Sequence, residues 1–96
     1  MKVVYNNCYG GFSLSKEAID LYKELTGKSG EISEYGISRH DPALVKVVEI
    51  LGKKANGYVA DLRVKEIEGN KYRIEEYDGM ESVVEPDDIE WVEVEK

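Results

Sequence analysis

Residues 72–84, YRIEEYDGMESVV, decide the fold class of this chain. Asp78-Gly79 is a strong two-residue hairpin signal, because both central positions of the favoured turn need a positive φ. The segments on either side, Tyr72–Tyr77 and Met80–Val84, contain the β-branched, aromatic and apolar residues typical of strands. The stretch therefore predicts an antiparallel β-hairpin and places an antiparallel sheet in the C-terminal half.

Further strands are predicted on both sides of this hairpin. Between residues 58 and 65, apolar and polar side chains follow each other with the period of a strand. The residues of one parity are predicted to share one face of the strand: Tyr58, Ala60, Leu62 and Val64. The opposite face carries Val59, Asp61, Arg63 and Lys65. Gly69-Asn70 predicts the turn between this strand and the hairpin, and Pro86-Asp87-Asp88 precedes a last strand, Ile89–Val94. Trp91 in that strand is expected to lie in the core or at its rim.

The first half of the chain predicts a short strand, a glycine-containing loop and a helix. Val3–Tyr5 is apolar, and the loop that follows it includes Gly10-Gly11. Ser15 is a favoured N-cap. Apolar residues at helical spacing continue from there to Thr26, and Gly27 is the expected C-terminal stop.

A second helix is predicted to begin at Asp41-Pro42, with the aspartate as N-cap and the proline at the first helical position. Its apolar stripe continues to Ala55, and Asn56-Gly57 ends it. Val45 and Ile50 lie off that stripe, so they either widen the buried face or meet a second subunit. Homo-oligomerisation is therefore an expected alternative to a monomer.

The order of these elements is β-α-α-β-β-β-β. It predicts an α+β fold, with a short N-terminal strand and two helices packed on one face of a mostly antiparallel β-meander. Because the chain has 96 residues and no long linker, we expect a single domain over residues 1–96. Residues 27–40 show no clear period, and they are predicted to form a mobile loop between the helices.

The charge of the chain is divided unevenly. Residues 1–57 hold 8 basic and 7 acidic side chains, whereas residues 58–96 hold 5 basic and 13 acidic ones. Since an acidic half repels phosphate backbones, general nucleic-acid binding is not expected. No run approaches the roughly 18–20 apolar residues of a membrane helix, and no signal-peptide pattern opens the chain. We therefore expect a cytoplasmic protein without membrane contact.

The loop before the first helix is the first candidate site. Backbone N–H groups at a helix start, approached closely over glycines, form a natural seat for an anion, and aromatic neighbours could stack on a ring. The predicted ligand-binding residues of this loop, next to Asn6, are Asn7, Tyr9, Gly10, Gly11, Phe12, Ser13 and Ser15. The alternative is structural: the glycines make a turn, Phe12 fills the core and Ser15 caps the helix.

Arg39 completes the predicted ligand site. It precedes the second helix, where a guanidinium and the helix dipole could together hold a phosphate or carboxylate. Tyr35, in the same loop, is a further stacking candidate. The alternative is that Arg39 pairs with Glu31, Glu34 or the acidic C-terminal strands.

An acidic surface that includes a tyrosine is the second candidate site. Its predicted partner-binding residues lie on and beside the hairpin: Glu75, Tyr77, Asp78, Glu81 and Glu85. Such a surface suits a basic protein partner, and otherwise it is a solvated face.

Catalysis is the third and weakest interpretation. The chain has one cysteine, Cys8, and one histidine, His40, and nothing in their spacing predicts that they meet. The carboxylates follow no spacing typical of a metal site. We therefore expect no enzymatic activity, no metal and no cofactor, with Cys8 and His40 or carboxylate chemistry as the alternative.

Four blocks of this sequence, in order, resemble a family of small phage and prophage proteins. They are residues 7–15 (NCYGGFSLS), 39–45 (RHDPALV), 55–57 (ANG) and 74–81 (IEEYDGME). The resemblance carries no established activity. It implies a phage accessory protein in the cytoplasm of a bacterial host, and proteins of that kind often counter host defence.

Together these observations favour a non-enzymatic counter-defence protein that sequesters a small anionic, nucleotide-like ligand at the glycine loop and Arg39. The alternative is an inhibitor of a host defence protein that acts through the acidic C-terminal strands. The two interpretations differ in the position of the contact face and in the sign of the charge that the partner presents.

Overall fold

Two helices and four strands follow one another in a computed structural model that describes residues 1–86. The elements are β1 (Lys2–Asn6), α1 (Lys16–Thr26), α2 (Pro42–Leu51), β2 (Leu62–Glu66), β3 (Arg73–Tyr77) and β4 (Met80–Val84). Short 3-10 helices, Glu34–Gly36 and Gly52–Ala55, precede and follow α2. The predicted α+β class is confirmed, whereas the predicted strand Ile89–Val94 and its Trp91 lie outside the described residues.

The strands form two antiparallel pairs instead of one meander. β1 pairs with β2, with Val4 opposite Val64, and β3 pairs with β4, with Glu76 opposite Glu81. Within residues 1–86, no ladder joins β2 to β3. The predicted meander is wrong at this point because alternation determines which residues share a face, and it does not determine which strand lies beside which.

β1 lies between the helices and the hairpin. Val3 and Val4 are both fully buried, although successive residues of a strand point to opposite faces. Val4 packs in the core cluster that contains residues of both helices, whereas Val3 packs with Ile67 and Val83. The β1–β2 sheet is therefore covered by the helices on one face and by the hairpin on the other.

The predicted caps of both helices are confirmed. The Ser15 hydroxyl accepts a hydrogen bond from the Ala18 amide (3.1 Å), and Gly27 ends α1 with φ 71°. The Asp41 carboxylate accepts one from the Ala43 amide (2.8 Å) at the start of α2. Neither these helices nor any other helix within residues 1–86 is long and apolar enough to cross a membrane.

α2 ends earlier than its apolar spacing predicts. Gly52 has φ 57°, a conformation that favours glycine, and the chain continues as a 3-10 helix that still buries Ala55. Val45 is buried and widens the core face, whereas Ile50 is 58% exposed. Self-association through Ile50 stays a prediction.

The Tyr22 hydroxyl holds the two helices together. It donates a 2.8 Å hydrogen bond to the Asp41 carboxylate, and its ring is buried in the main core. Burial raises the pKa of Tyr22, and the hydrogen bond to Asp41 raises it further. The segment between the helices contributes Ile37 to the same core, and its predicted mobility stays a prediction.

The strand predicted from Tyr58 begins only at Leu62. Residues 57–60 form a turn, in which the Ala60 amide donates to the Gly57 carbonyl (3.3 Å). Tyr58, predicted to share a strand face with Leu62, therefore lies in this turn and is fully exposed. Asn56 explains the difference, since its side chain accepts from the Leu62 amide (2.7 Å) and stabilises a turn where a strand was expected.

Asp78-Gly79 forms the predicted hairpin turn. Both residues have positive φ, 52° and 89°, as a two-residue turn of this kind requires. Gly79 also lies against the backbone of Tyr9 and Gly11, where an added Cβ would be 2.8 Å from the Gly11 nitrogen. The tip of the hairpin is therefore packed directly on the N-terminal loop.

Asn6 connects β1 with this hairpin tip and with the segment before β2. Its side chain is fully buried and donates to the carbonyls of Cys8 (2.7 Å) and Gly79 (2.9 Å). Its side-chain oxygen accepts a hydrogen bond from the backbone amide of Asp61 (2.8 Å). The backbone amide of Asn6 donates to the Glu81 carboxylate (2.9 Å). The sequence argument placed Asn6 beside the ligand-binding residues, but the hydrogen bonds of its side chain are internal.

Asn6→Ala is expected to destabilise the protein by about 2–4 kcal/mol, because three partly buried backbone groups lose their partner. Asn7→Ala is the matched control, since Asn7 is only half-buried and its side chain holds none of these groups; its change is expected to stay below about 0.5 kcal/mol. Urea unfolding followed by circular dichroism measures both changes. Equal stabilities of the two variants would contradict the role given to Asn6.

Candidate functional site

A cavity of about 490 Å³ opens beside the N-terminal loop. Its walls come from residues 10–14, from Tyr35 and Arg39 before α2, from the turn at residues 57–59, and from Glu76 and Glu81 of the hairpin. The packing of the hairpin tip on the N-terminal loop brings these segments together. The volume lies within the range of small-molecule sites, roughly 300–1,000 Å³.

A larger opening of about 750 Å³ lies along the segment between the helices. Two of its polar wall groups, the Tyr22 hydroxyl and the Asp41 carboxylate, are bonded to each other. It is lined by none of the predicted ligand-binding residues. We therefore take the cavity beside the N-terminal loop as the candidate site.

Arg39 and Glu81 form one wall of this cavity as a bidentate ion pair. Nη2 of Arg39 donates to Oε2 of Glu81 (2.8 Å), and Nη1 donates to Oε1. The guanidinium carbon lies 3.7 Å from the centroid of the Phe12 ring, a stacking contact that arginine favours. Arg39 therefore pairs with the acidic strands, as the alternative interpretation of the sequence expected, and its charge is already neutralised by the protein.

The amides of the two residues directly before α1 are also hydrogen-bonded to groups of the protein itself. The Leu14 amide donates to the Glu34 carboxylate (2.8 Å), and the Ser15 amide donates to the Ala55 carbonyl (2.9 Å). The Ser15 hydroxyl donates to the Lys54 carbonyl (2.6 Å) while it caps α1. The carboxylate of Glu34 thus takes the place that the sequence argument gave to an anionic ligand.

Most of the predicted ligand-binding residues nevertheless meet at one cavity. Those that line it are Gly10, Gly11, Phe12, Ser13 and Arg39. Ser15 does not line it, because it caps α1, and Asn7 lines a separate opening of about 330 Å³ beside the hairpin. Tyr9 is exposed but is not part of the lining. Phe12 is buried in the main core, which confirms its structural interpretation.

The charge of the cavity walls is more negative than positive. Glu76 and Glu81 lie opposite each other on the hairpin face that also carries the buried Val83. Arg39 neutralises Glu81, whereas Glu76 forms no ion pair with any of residues 1–86. Like charges directly opposite each other in a ladder repel. The cavity is therefore better suited to a cation than to the anion that the sequence predicted.

Three exposed residues stand at the mouth of the cavity, and we call them the tyrosine rim: Tyr35, Tyr58 and Val59. Their exposed fractions are 81%, 100% and 44%. Exposed apolar residues grouped around a concavity are typical of interaction sites. The alternation placed Tyr58 in a strand, although the Asn56-Gly57 turn signal directly before it could have identified it as part of an exposed turn.

The predicted acidic surface is divided between the two faces of the hairpin. Its exposed members are Glu75, Tyr77 and Asp78. Glu81 is buried, which corrects its prediction as a partner-binding residue, because strand alternation turns it towards Arg39. Glu85 is half-buried, with its carboxylate 3.9 Å from the Lys65 ammonium.

Cys8 and His40, the residues of the catalytic interpretation, make separate contacts. His40 Nδ1 lies 2.6 Å from the Tyr72 hydroxyl and 2.9 Å from Ser38 Oγ, and the His40 and Tyr72 rings pack edge to face. Cys8 has a free, half-buried thiol, and no hydrogen bond between described residues joins it to His40. Across residues 1–86, no group of three or more His, Cys, Asp or Glu side chains is placed to hold a metal ion.

Comparison with known proteins adds no assignment to this site. No protein-family model matches the chain, and no curated protein or solved structure matches it either. The resemblance to small phage proteins stays a prediction, and the interpretation of the site depends on its geometry.

Two glycines allow the turn at residues 57–59 to pack closely against the N-terminal loop. Gly57 lies against Ser13, whose hydroxyl is buried without a hydrogen-bond partner among residues 1–86. Gly10 lies against the backbone oxygen and side chain of Val59, so that an added Cβ would collide with both. The turn at residues 57–59 is thereby packed against the N-terminal loop at two points.

Gly10→Ala is expected to destabilise the protein by about 1–3 kcal/mol, because the new methyl group forces Val59 out of position. Gly36→Ala is the matched control, since the nearest atom to its added Cβ, outside its chain neighbours, is the Cβ of Ser33 at 3.9 Å. Thermal unfolding measures the stability of both variants. The NMR signals of the amides of residues 57–59 report whether the turn has moved. If Gly10→Ala is as stable as Gly36→Ala, the close packing of loop and turn is wrong.

Proposed function

We propose that this protein is a non-enzymatic binding protein that recognises a protein partner through the tyrosine rim. The observation that carries the proposal is the exposure of Tyr35, Tyr58 and Val59 together at the mouth of one cavity. Tyrosine is enriched at protein interfaces because its large ring buries apolar area with little loss of side-chain freedom. Tyr35 and Tyr58 are 81% and 100% exposed, so their rings are free to bury apolar area against a partner.

The surroundings of the rim support a protein partner over a small anion. The rim lies beside acidic walls, and the charge of residues 58–96 is acidic as well, with 13 acidic against 5 basic side chains. Complementary charge favours association with a partner that presents basic groups. Among the described residues, His40 is hydrogen-bonded to Ser38 and Tyr72 and not to Cys8, which favours a role without catalysis by this pair.

The resemblance to small phage proteins supplies a setting for this function. In that setting the partner is a host protein in the bacterial cytoplasm, and the complex counters host defence. The contact face we propose differs from the acidic surface expected from the sequence, because Glu81 is internal and the exposed tyrosines of the rim lie at the cavity.

A nucleotide-like anionic ligand is the second candidate. It is favoured by the lining of the cavity, where loop residues 10–13, Arg39 and Tyr35 meet. It is opposed by the internal pairing of Arg39 with Glu81 and by the unpaired Glu76 on the same wall. An anion that entered would have to displace Glu81 from Arg39, so this candidate ranks second.

The experiment compares capture of a partner from bacterial lysate by the wild-type protein and by two variants. Tyr35→Ser with Tyr58→Ser is expected to reduce recovery of the partner at least about tenfold, because tyrosines at an interface centre each contribute substantially to affinity. Ile50→Ser removes an exposed apolar residue of α2 outside the cavity lining, and we expect recovery to be unchanged.

Two results would overturn the proposal. One is recovery that is indifferent to the rim substitutions, whether or not Ile50→Ser changes it. The other is calorimetric binding of cyclic oligonucleotides or ADP-ribose derivatives that disappears in Arg39→Met, which would favour the second candidate.

A further inference from the structure

We infer that the cavity receives an arginine side chain of the partner, with its guanidinium facing Glu76 and packed against the rim tyrosines. The inference rests on the proposed function, because it names the chemistry that a protein partner presents to the tyrosine rim. The occupant is a basic protein segment. Three features of the cavity walls support this choice.

The first feature is the uncompensated carboxylate of Glu76. It lies on the cavity wall, directly across the hairpin ladder from Glu81, and it forms no ion pair with any residue in the described part of the chain. Its neighbour along β3, Glu75, is bonded to Arg73 (2.7 Å). Because Glu81 is already paired with Arg39, Glu76 is the uncompensated charge of this wall, and an incoming cation gains its attraction.

The second feature is the way in which the cavity already holds a guanidinium. Arg39 is stacked 3.7 Å from the Phe12 ring centroid and is bonded in bidentate fashion to Glu81. The lining of the cavity contains the same two kinds of group again, since Tyr35 and Tyr58 are aromatic and Glu76 is a carboxylate. Planar stacking together with carboxylate pairing favours arginine over lysine.

The third feature is the combination of volume and access. A cavity of about 490 Å³ admits a long side chain together with hydration water. Its mouth is bordered by Tyr58, which is fully exposed and free of core packing. The aromatic faces are therefore accessible from solvent without opening the core.

The experiment uses a fluorescein-labelled hexa-arginine peptide as the probe, with the intact 96-residue protein and fluorescence anisotropy as the readout. Glu76→Gln is expected to weaken binding about three- to fivefold, which is the size of an exposed ion pair. Glu75→Gln is the matched control, because it makes the same change in net charge one residue away, and it is expected to change binding less than about twofold. Tyr58→Ser is expected to weaken binding by a similar three- to fivefold factor through the lost stacking contact.

Hexa-lysine is expected to bind more weakly than hexa-arginine, and hexa-glutamate is expected not to bind. Amide shift changes in the presence of hexa-arginine are expected at residues 10–13 and 57–59. Glu76 is exposed and without an ion pair among residues 1–86, so Glu76→Gln should keep the wild-type urea midpoint and the test measures binding alone.

Equal effects of Glu75→Gln and Glu76→Gln would overturn the inference, because they would show general attraction to an acidic protein. Equal binding of hexa-lysine or binding of hexa-glutamate would overturn it as well. If capture of the partner from lysate depends on the rim but Glu76→Gln does not change the binding of hexa-arginine, only this inference fails. If hexa-arginine behaves as expected while capture is indifferent to the rim, the proposed function fails and the affinity of the cavity for arginine remains.

Discussion

The bidentate ion pair between Arg39 and Glu81 is the interaction on which the site depends. It joins the segment before α2 to the second residue of β4, across 42 positions of sequence. The same carboxylate accepts the Asn6 amide of β1, and the same guanidinium covers the Phe12 ring of the N-terminal loop. Because the loss of one partner would leave a largely buried charge unpaired, the pair holds these four segments in a single arrangement.

This arrangement also determines what the cavity can attract. Arg39 is the cationic group that lines it, and its charge is balanced by Glu81. The Leu14 amide, two residues before α1, already donates to the Glu34 carboxylate and is not free to hold an anion. Glu76 is then left as the uncompensated charge of the wall, beside the exposed tyrosines. The negative character of the site is therefore a consequence of how the protein satisfies its own polar groups.

The parts of the fold that could be predicted are those determined by local chemistry. Ser15 and Asp41 cap their helices and Asp78-Gly79 turns the hairpin, because each of these choices depends on a few neighbouring residues. The pairing of β1 with β2 could not be predicted, since alternation carries no information about distant neighbours. Tyr58 was misplaced because its parity fits the strand, while the hydrogen bond from the Leu62 amide to the Asn56 side chain delays the strand start.

The sequence predicted many of the residues that line the candidate site, but it did not predict the net charge of the cavity walls. Glycines and an aromatic residue in one loop suggested a concavity, and Gly10, Gly11 and Phe12 do line one together with Arg39. The sequence could not show that Arg39 finds Glu81, because the contact depends on the docking of the hairpin on β1 and the N-terminal loop. The sign of the preferred ligand charge follows from that single contact.

A double-mutant cycle between Arg39 and Glu81 tests this account most directly. Urea unfolding is measured for Arg39→Met, for Glu81→Leu and for the double variant. The account predicts that each single change costs about 3 kcal/mol, because it leaves a buried charge unpaired, and that the double change costs at least about 2 kcal/mol less than the sum. Additivity of the two changes within about 0.5 kcal/mol would show that the pair does not hold the structure together.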